Sequence, residues 1–538
     1  MALSKTTGIA RKEESPLSDG DYGMVRAVSW KQVVFLALGA PALVLFNMGG
    51  ISSIIGTAAP LAWGLSVIIS VLQCFVYTEI AGMHPSKTGG MSVYGATAWM
   101  RHSPLVGVVS PWAHWGAGIP ILPIGVALAS GYLMSVFLPA DSPIVLWQLT
   151  LLDLNFIQEG LVLRINLQFI IALVIMVIVV GIQVSGVTST AKVQIALALG
   201  GILPLVFIVV VPVLLGNVNL DNFNPFVPLS GSWDFNGFHL LLGAMFLAAW
   251  ADYGCETSAC YMCEMKKPRD ATKAVLASGV ISIVLYILVP TVFQGCLGTE
   301  YMLRPDINAG TGVGLALATM VTDSPLFLRI VVVMLMFTLV LGAMTAMADT
   351  ARTMCQGGQD GIFPKFLGKT NKNHAPNRAT WFNFCVNLVL LMFNDYLFLL
   401  ALTCLNYVLC HFIVLTGAVL HRIDNPDVPR PYKAPNFFMG LGLLFAFFNM
   451  FLIGAGANIW GSYVLPIGLG IAMLGIPLFL YRHYKTDKGT FPDSMYQDLI
   501  PPGQTEPSPV RAKKLPWVFL AGGLACLAAG YLVFYVLF

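Results

Sequence analysis

Charge is scarce in this sequence. Of its 538 residues only 10% are Asp, Glu, Lys or Arg, while 57% are hydrophobic; ordinary soluble domains carry roughly 25% charged residues. That scarcity excludes a soluble globular protein, and lipid is the solvent for most of the chain. A net charge of +3 is too small to argue for nucleic acid as a partner. The ten cysteines lie almost wholly in apolar runs, without the framework spacing of a disulfide-stapled secreted domain. No Walker motif, His-Glu-x-x-His or nucleophile elbow is present, which argues against a pump or a membrane enzyme and leaves no cofactor expected. Cys260 and Cys263 make a C-x-x-C, but it lies in an apolar run with no second pair, so no metal site is expected. Residues 1–31 are polar and charged, unlike a cleaved leader, and the apolar stretch that follows is long enough to stay in a membrane.

What the chain does have is long apolar runs. Runs of about 20 residues, the length that crosses a bilayer core, fall at 32–58, 60–82, 104–138, 166–186, 190–215, 238–263, 272–298, 327–350, 380–394, 396–420, 436–457, 461–482 and 515–538. Twelve form one block, and the thirteenth follows a polar stretch. The run at 104–138 has the length of one strongly tilted helix with an end along the interface. Only Asn394-Asp395 separates 380–394 from 396–420, which predicts a tight helical hairpin. With the N-terminus in the cytoplasm, all but three of the 29 Lys and Arg fall inside; Arg164, Arg304 and Arg329 remain outside. The positive-inside rule selects that orientation in the cell membrane, plasma or inner, and puts Phe538 on the outer side.

Two runs are interrupted. The first contains "NMGGISSIIG" (47–56), and paired glycines cost a helix about 1 kcal/mol each relative to alanine. Close helix packing through small residues is one explanation; a broken helix at a binding site is the other. The sixth run carries its own interruption at Asp252-Tyr253-Gly254, followed by Glu256. If the chain is two inverted five-helix repeats, the first and sixth helices are equivalent, and both breaks face one central cavity.

Five segments together carry a family resemblance. They are "GGISS", "YTEIAGMHPSKTGGMSVY" (77–94), "GCETSACYMCEMKKPR" (254–269), "ADTARTMCQGGQDGIFPKFLGKTNKNHAP" (348–376) and "NPDVPRPYKAP" (425–435). In this order the chain resembles the amino acid–polyamine–organocation permeases over about residues 32–482. The resemblance implies an all-α membrane protein of twelve core helices with the two-times-five inverted-repeat fold first described for a leucine transporter, here with an extra helix. The implied divisions are a cytoplasmic tail (1–31), a first repeat (32–216), a second repeat (238–420), two further helices (436–482), a cytoplasmic linker (483–514) and the extra helix (515–538). Two departures stand out. Serine, Ser52 or Ser53, replaces the phenylalanine of the helix 1 motif, and helix 5 has Gly200-Gly201 where many relatives place a lysine that reaches helix 1.

Unwinding helix 1 would free backbone N–H groups around Gly49, Gly50, Ile51, Ser52 and Ser53 to bind a carboxylate at the positive end of the following half-helix. Unwinding helix 6 would free carbonyls near Trp250, Ala251 and Asp252, beside Gly254, to bind an ammonium group. Trp250 resembles an aromatic that covers substrate in an arginine–agmatine exchanger of the family; a core aromatic is the alternative. Glu256 matches an acid of the proton-coupled exchangers. Asp252 is a partner for a cationic substrate, a counter-charge for the amine, or a solvated acid in the lumen.

Other polar groups have local explanations. His411 bonded to a neighbouring carbonyl, and Asp349 paired with Arg352 at i,i+3, are the simplest. Glu79 and Glu264 sit at cytoplasmic helix ends with Lys and Arg partners to hold. The sequence thus predicts a permease for an amino acid or related amine working by alternating access, either proton-coupled or by exchange. Protons are the expected coupling ion; sodium is possible, with Thr345 as a ligand between helices 1 and 8. The alternatives are a carrier of a non-amino-acid organic cation or polyamine, and a non-transporting receptor or scaffold.

Overall fold

A backbone in lipid finds no water to bond, so its N–H and C=O groups pair within helices. The computed structural model describes residues 23–139 and 141–536, apart from the side chain of Cys255. Most of the expected N-terminal tail, residues 1–22, and the terminal Phe538 lie outside them. Among the described residues ten helical stretches are long and apolar enough to cross a membrane, and Leu167–Gln183 is apolar but shorter. Over their described residues all thirteen apolar runs are mainly helical. The numbers differ because the first two runs share one stretch, Trp30–Met83, and the run at 380–394 yields only 14 helical residues.

Ser29 starts α1 (Trp30–Ala37) with a capping box, its hydroxyl accepting from the Gln32 N–H and the Gln32 side chain accepting from the Ser29 N–H. α1 then stops. Leu38–Ala40 turn, Pro41–Leu43 form a 3-10 turn, and α2 (Val44–Ile55) resumes. Pro41 lacks an N–H and its ring collides with a preceding helical turn. At Gly39 a Cβ would overlap the Thr345 hydroxyl, so only glycine fits. The break expected within 47–56 is therefore corrected: Gly49, Gly50, Ile51, Ser52 and Ser53 all lie inside α2. The paired glycines serve packing instead, Gly49 against the Ile307 carbonyl and Gly50 against Leu397. α2 ends at Gly56 with φ 60°, and α3 (Ala59–Met83) and α4 (Gly90–Met100) follow.

The run at 104–138 is two helices, α5 (Pro104–Gly118) and α6 (Ile121–Phe137), parted at Ile119-Pro120 rather than one tilted helix. Next come the short α7 (Pro143–Leu146) and an antiparallel hairpin, β1 (Gln148–Asp153) with β2 (Val162–Asn166), in register Gln148 to Asn166. α8 (Leu167–Gln183) and α9 (Val187–Leu214) lead to α10 (Phe235–Asp252), capped by Asp234. There the chain tightens into a 3-10 segment, Tyr253–Glu264, at the interruption expected from Asp252-Tyr253-Gly254.

α11 (Ala271–Met302), the short α12 (Pro305–Asn308) and α13 (Val313–Thr319), α14 (Pro325–Gln359), α15 (Asn377–Leu390) and α16 (Tyr396–Asp424) complete the region of the expected second repeat. α15 packs on α14 and α8, whereas α16 packs on α4, α5 and α17 (Asn436–Gly456), so the expected tight hairpin does not form. The turn between them is held from outside, where the Asn394 side chain accepts from the Val162 N–H at 2.8 Å. α18 (Val464–Met473) and α19 (Gly475–Leu480) precede the polar linker, and α20 (Leu515–Tyr535) closes the chain.

The linker is ordered against the bundle. Asp498 accepts from the Ser86 N–H and hydroxyl at 3.1 and 2.7 Å, and Lys87 donates to Asp360 at 2.7 Å and to the Ser494 carbonyl at 2.6 Å. Further on, Asp424 accepts from the N–H groups of Arg511 and Ala512. α20 then lies on α17 through glycine: a Cβ at Gly454 would overlap the Leu527 carbonyl, and one at Gly530 the Phe451 carbonyl. Gly530→Leu is expected to destabilise the protein by about 1–3 kcal/mol, read as a lower melting temperature in detergent. Unchanged melting would show that α20 is dispensable to the fold.

Candidate functional site

The two interruptions meet. A Cβ at Gly254 would sit 3.1 Å from the Cβ of Ala40, so the first break and the sixth-run break are in van der Waals contact. Both breaks present a carbonyl to Tyr286 of α11, that of Ala40 also accepting from the Leu43 N–H at 2.9 Å. The Tyr286 hydroxyl oxygen lies 2.6 Å from the Ala40 carbonyl oxygen and 2.8 Å from that of Ala251, sharing one proton between the two broken helices. The Tyr286 ring is buried and stacks on Trp63 at 5.5 Å. Nothing local in the sequence marks Tyr286, because its partners are far from it in the chain.

Beside this junction lies a cavity walled by both breaks (Gly39, Ala40 and Leu43; Trp250, Gly254 and Thr257), by His114, Ala117, Gly118 and Ile121, by Gly342, Thr345, Ala346 and Asp349 of α14, and by Tyr407 of α16. Its open space is about 30 Å³, where one water needs roughly 10–15 Å³. An amino acid fits only if the surrounding helices part.

Of the residues expected at the site, Trp250 and Gly254 line the cavity. The Trp250 indole N–H donates to the Ala117 carbonyl at 3.3 Å, which fixes the ring against α5. The Ala251 carbonyl is taken by Tyr286 and that of Asp252 by the Ser70 hydroxyl at 2.7 Å. Asp252 is fully buried but is not among the residues lining the cavity. Gly49–Ser53 also lie away from it, inside α2. Glu256 is buried behind Tyr407, whose hydroxyl donates to its Oε1 at 2.7 Å. Its Oε2 has no hydrogen-bond partner among the described residues.

Three groups differ from their local explanations. Asp349 does not pair with Arg352. Its Oδ2 accepts from His114 Nε2 at 2.7 Å, and Arg352 makes a bidentate pair with Glu264 at 2.6 and 3.0 Å. His411 bonds the Tyr77 hydroxyl rather than a carbonyl, and packs among the rings of Tyr77, Tyr253 and Tyr407. Helix α9 does send a side chain to the first helix, though not from Gly200-Gly201: Gln194 donates to the Leu36 carbonyl at 3.3 Å and to Thr345 Oγ1 at 3.1 Å, while Thr345 donates to Leu36 at 2.8 Å. Glu79 and Glu264 hold basic partners as expected, Glu79 pairing with both Arg422 and Arg430.

A multi-pass bundle of apolar helices with two adjacent interruptions beside a mainly apolar cavity that carries a few polar side chains is the architecture of a membrane permease. The family model for amino acid permeases matches residues 28–474, and the chain belongs to that family, within the amino acid–polyamine–organocation superfamily. Among curated relatives, a putative arginine/ornithine antiporter of Escherichia coli is 22% identical over 429 residues, 76% of this chain and 83% of that protein. An arginine/ornithine antiporter of Pseudomonas aeruginosa is 23% identical over 66% of this chain and 70% of its own length. The branched-chain amino acid permease BcaP of Lactococcus lactis is 23% identical over 46% of this chain, a match that spans 54% of that permease.

Tyr286→Phe keeps the ring and removes the shared proton. The Ala40 carbonyl keeps its bond from the Leu43 N–H, so the loss is that of one shared hydrogen bond, about 0.5–1.5 kcal/mol. The expected result is a lower melting temperature of the purified protein. No change would show that the breaks are held by packing alone.

Proposed function

We propose that this chain is a secondary transporter that carries an amino acid or related amine across the cell membrane by alternating access, with Glu256 as the acid that carries the coupling proton. The observation that carries this reading is the contact of the two helix interruptions at Ala40 and Gly254 beside a buried cavity. Breaks in lipid are tolerated where they line a cavity and serve a ligand. The names of the relatives, an amino acid permease and arginine/ornithine antiporters, support an amino acid as cargo.

In this reading the substrate carboxylate meets the start of the α2 half-helix at Gly39–Leu43, in place of Gly49–Ser53, because that is where the first helix opens. The dipole of a helix start favours an anion there. Trp250 covers the substrate. Two five-helix repeats with the N-terminus in the cytoplasm fit the placement of the basic residues. Protons are favoured over sodium because Gln194 already donates to the Leu36 carbonyl and the Thr345 hydroxyl, the oxygens a cation between helices 1 and 8 would need.

Uptake by proteoliposomes holding the purified protein tests the proposal, since a scaffold or receptor gives no substrate-dependent flux. Raising pH strips the proton from Glu256, so proton-driven uptake is expected to fall as pH rises. Glu256→Gln stays neutral at every pH. It is expected to keep substrate binding, lose the pH dependence, and lose accumulation against a gradient. Identical pH profiles for wild type and variant would remove Glu256 from coupling.

A further inference from the structure

We infer that Asp349 forms a cation subsite within the cavity and takes the side-chain ammonium or guanidinium of a basic amino acid. The inference rests on the transport reading above and adds the charge class of the substrate.

Asp349 lines the cavity and is 6% exposed. One of its oxygens is used, Oδ2 by His114; Oδ1 has no hydrogen-bond partner among the described residues. A buried carboxylate oxygen without a donor is costly, and here it belongs to a residue that lines the cavity. No Lys or Arg lines the cavity, and Arg352, three residues along α14, is fully engaged by Glu264, the Ala348 carbonyl and the Tyr261 ring.

Charge balance points the same way. Two carboxylates, Asp349 and Glu256, share this region with one ionisable base that lines the cavity, His114. In the state in which Glu256 has released its proton, His114 can balance only one of the two carboxylates, and a cationic side chain complements the remainder where a zwitterionic neutral amino acid does not.

The spacing suits such a substrate. Gly39, at the first break, abuts Thr345, and Asp349 lies one turn further along the same helix, about 6 Å by helical rise. A stem of three or four methylenes spans that distance. Leu43, Ile121, Trp250 and Tyr407 give it an apolar and aromatic wall, and an aromatic face also attracts the cation at its end.

The test uses full-length purified protein and pairs of amino acids matched in size but not in charge: L-arginine against L-citrulline, and L-lysine against L-norleucine. Equilibrium binding is expected to favour the charged member of each pair by about tenfold or more. Asp349→Asn should bring each pair to near-equal affinity mainly by weakening the charged member, and Asp349→Glu should restore part of the preference. Should Asp349→Asn fail to fold, His114→Gln serves instead, since removing the base that shares the carboxylate should widen the preference. Equal binding of both members by wild type overturns the subsite, as does a preference that survives Asp349→Asn or fails to widen in His114→Gln. Binding of neutral amino acids alone would leave the transport reading standing and sink only the subsite. Absence of binding and of flux for every amino acid would sink both.

Discussion

A chain that stops being helical inside a bilayer exposes hydrogen-bonding groups that lipid cannot satisfy. Two of the places where it stops here lie side by side, and one group from a third helix serves both. Ala40 and Gly254 touch, and one tyrosine hydroxyl from α11 serves a carbonyl of each broken helix. The cavity exists because this junction holds its two walls open-ended yet paired. The other helices contribute their polar side chains around it: His114 from α5, Asp349 from α14, Tyr407 from α16.

Much of this was legible from sequence, and the failures are instructive. The apolar runs marked helix correctly because length and hydropathy decide membrane insertion whatever the tertiary contacts. The break in the sixth run was visible because Asp252 and Gly254 are conspicuous in an apolar stretch. The break in the first was misplaced. Paired glycines at 49–50 drew attention, yet glycine in a membrane helix more often permits close approach, and here it admits Ile307 and Leu397. The proline at 41, which cannot continue a helix, was the better signal.

The polar contacts were legible only where they were local. Asp349 and Arg352 stand at helical spacing, and that spacing offered an explanation that long-range partners override: His114 is 235 residues away and Glu264 is 88. Gln194 escaped for the same reason, since its hydrogen bonds run to α14 and to the end of α1. Asp252 shows the converse. Its charge stood out in the sequence, but the cavity is lined by its neighbours Trp250 and Gly254 on either side.

The polar linker gives the chain a mechanical property. It is fastened to Ser86 and Lys87 after α3 and to Asp424 at the end of α16, and from there the chain continues into α20, which is seated on α17. A segment pinned at several points around one end of a bundle acts as a hoop. Its contour length limits how far those helix ends can spread before hydrogen bonds at the pins must break. The Asp498–Ser86 pin is the exposed one, whereas Lys87 and Asp360 are wholly buried beneath the hoop. Any widening at this end therefore has a weak link and a strong one, and the order of their release is written into how deeply each is buried.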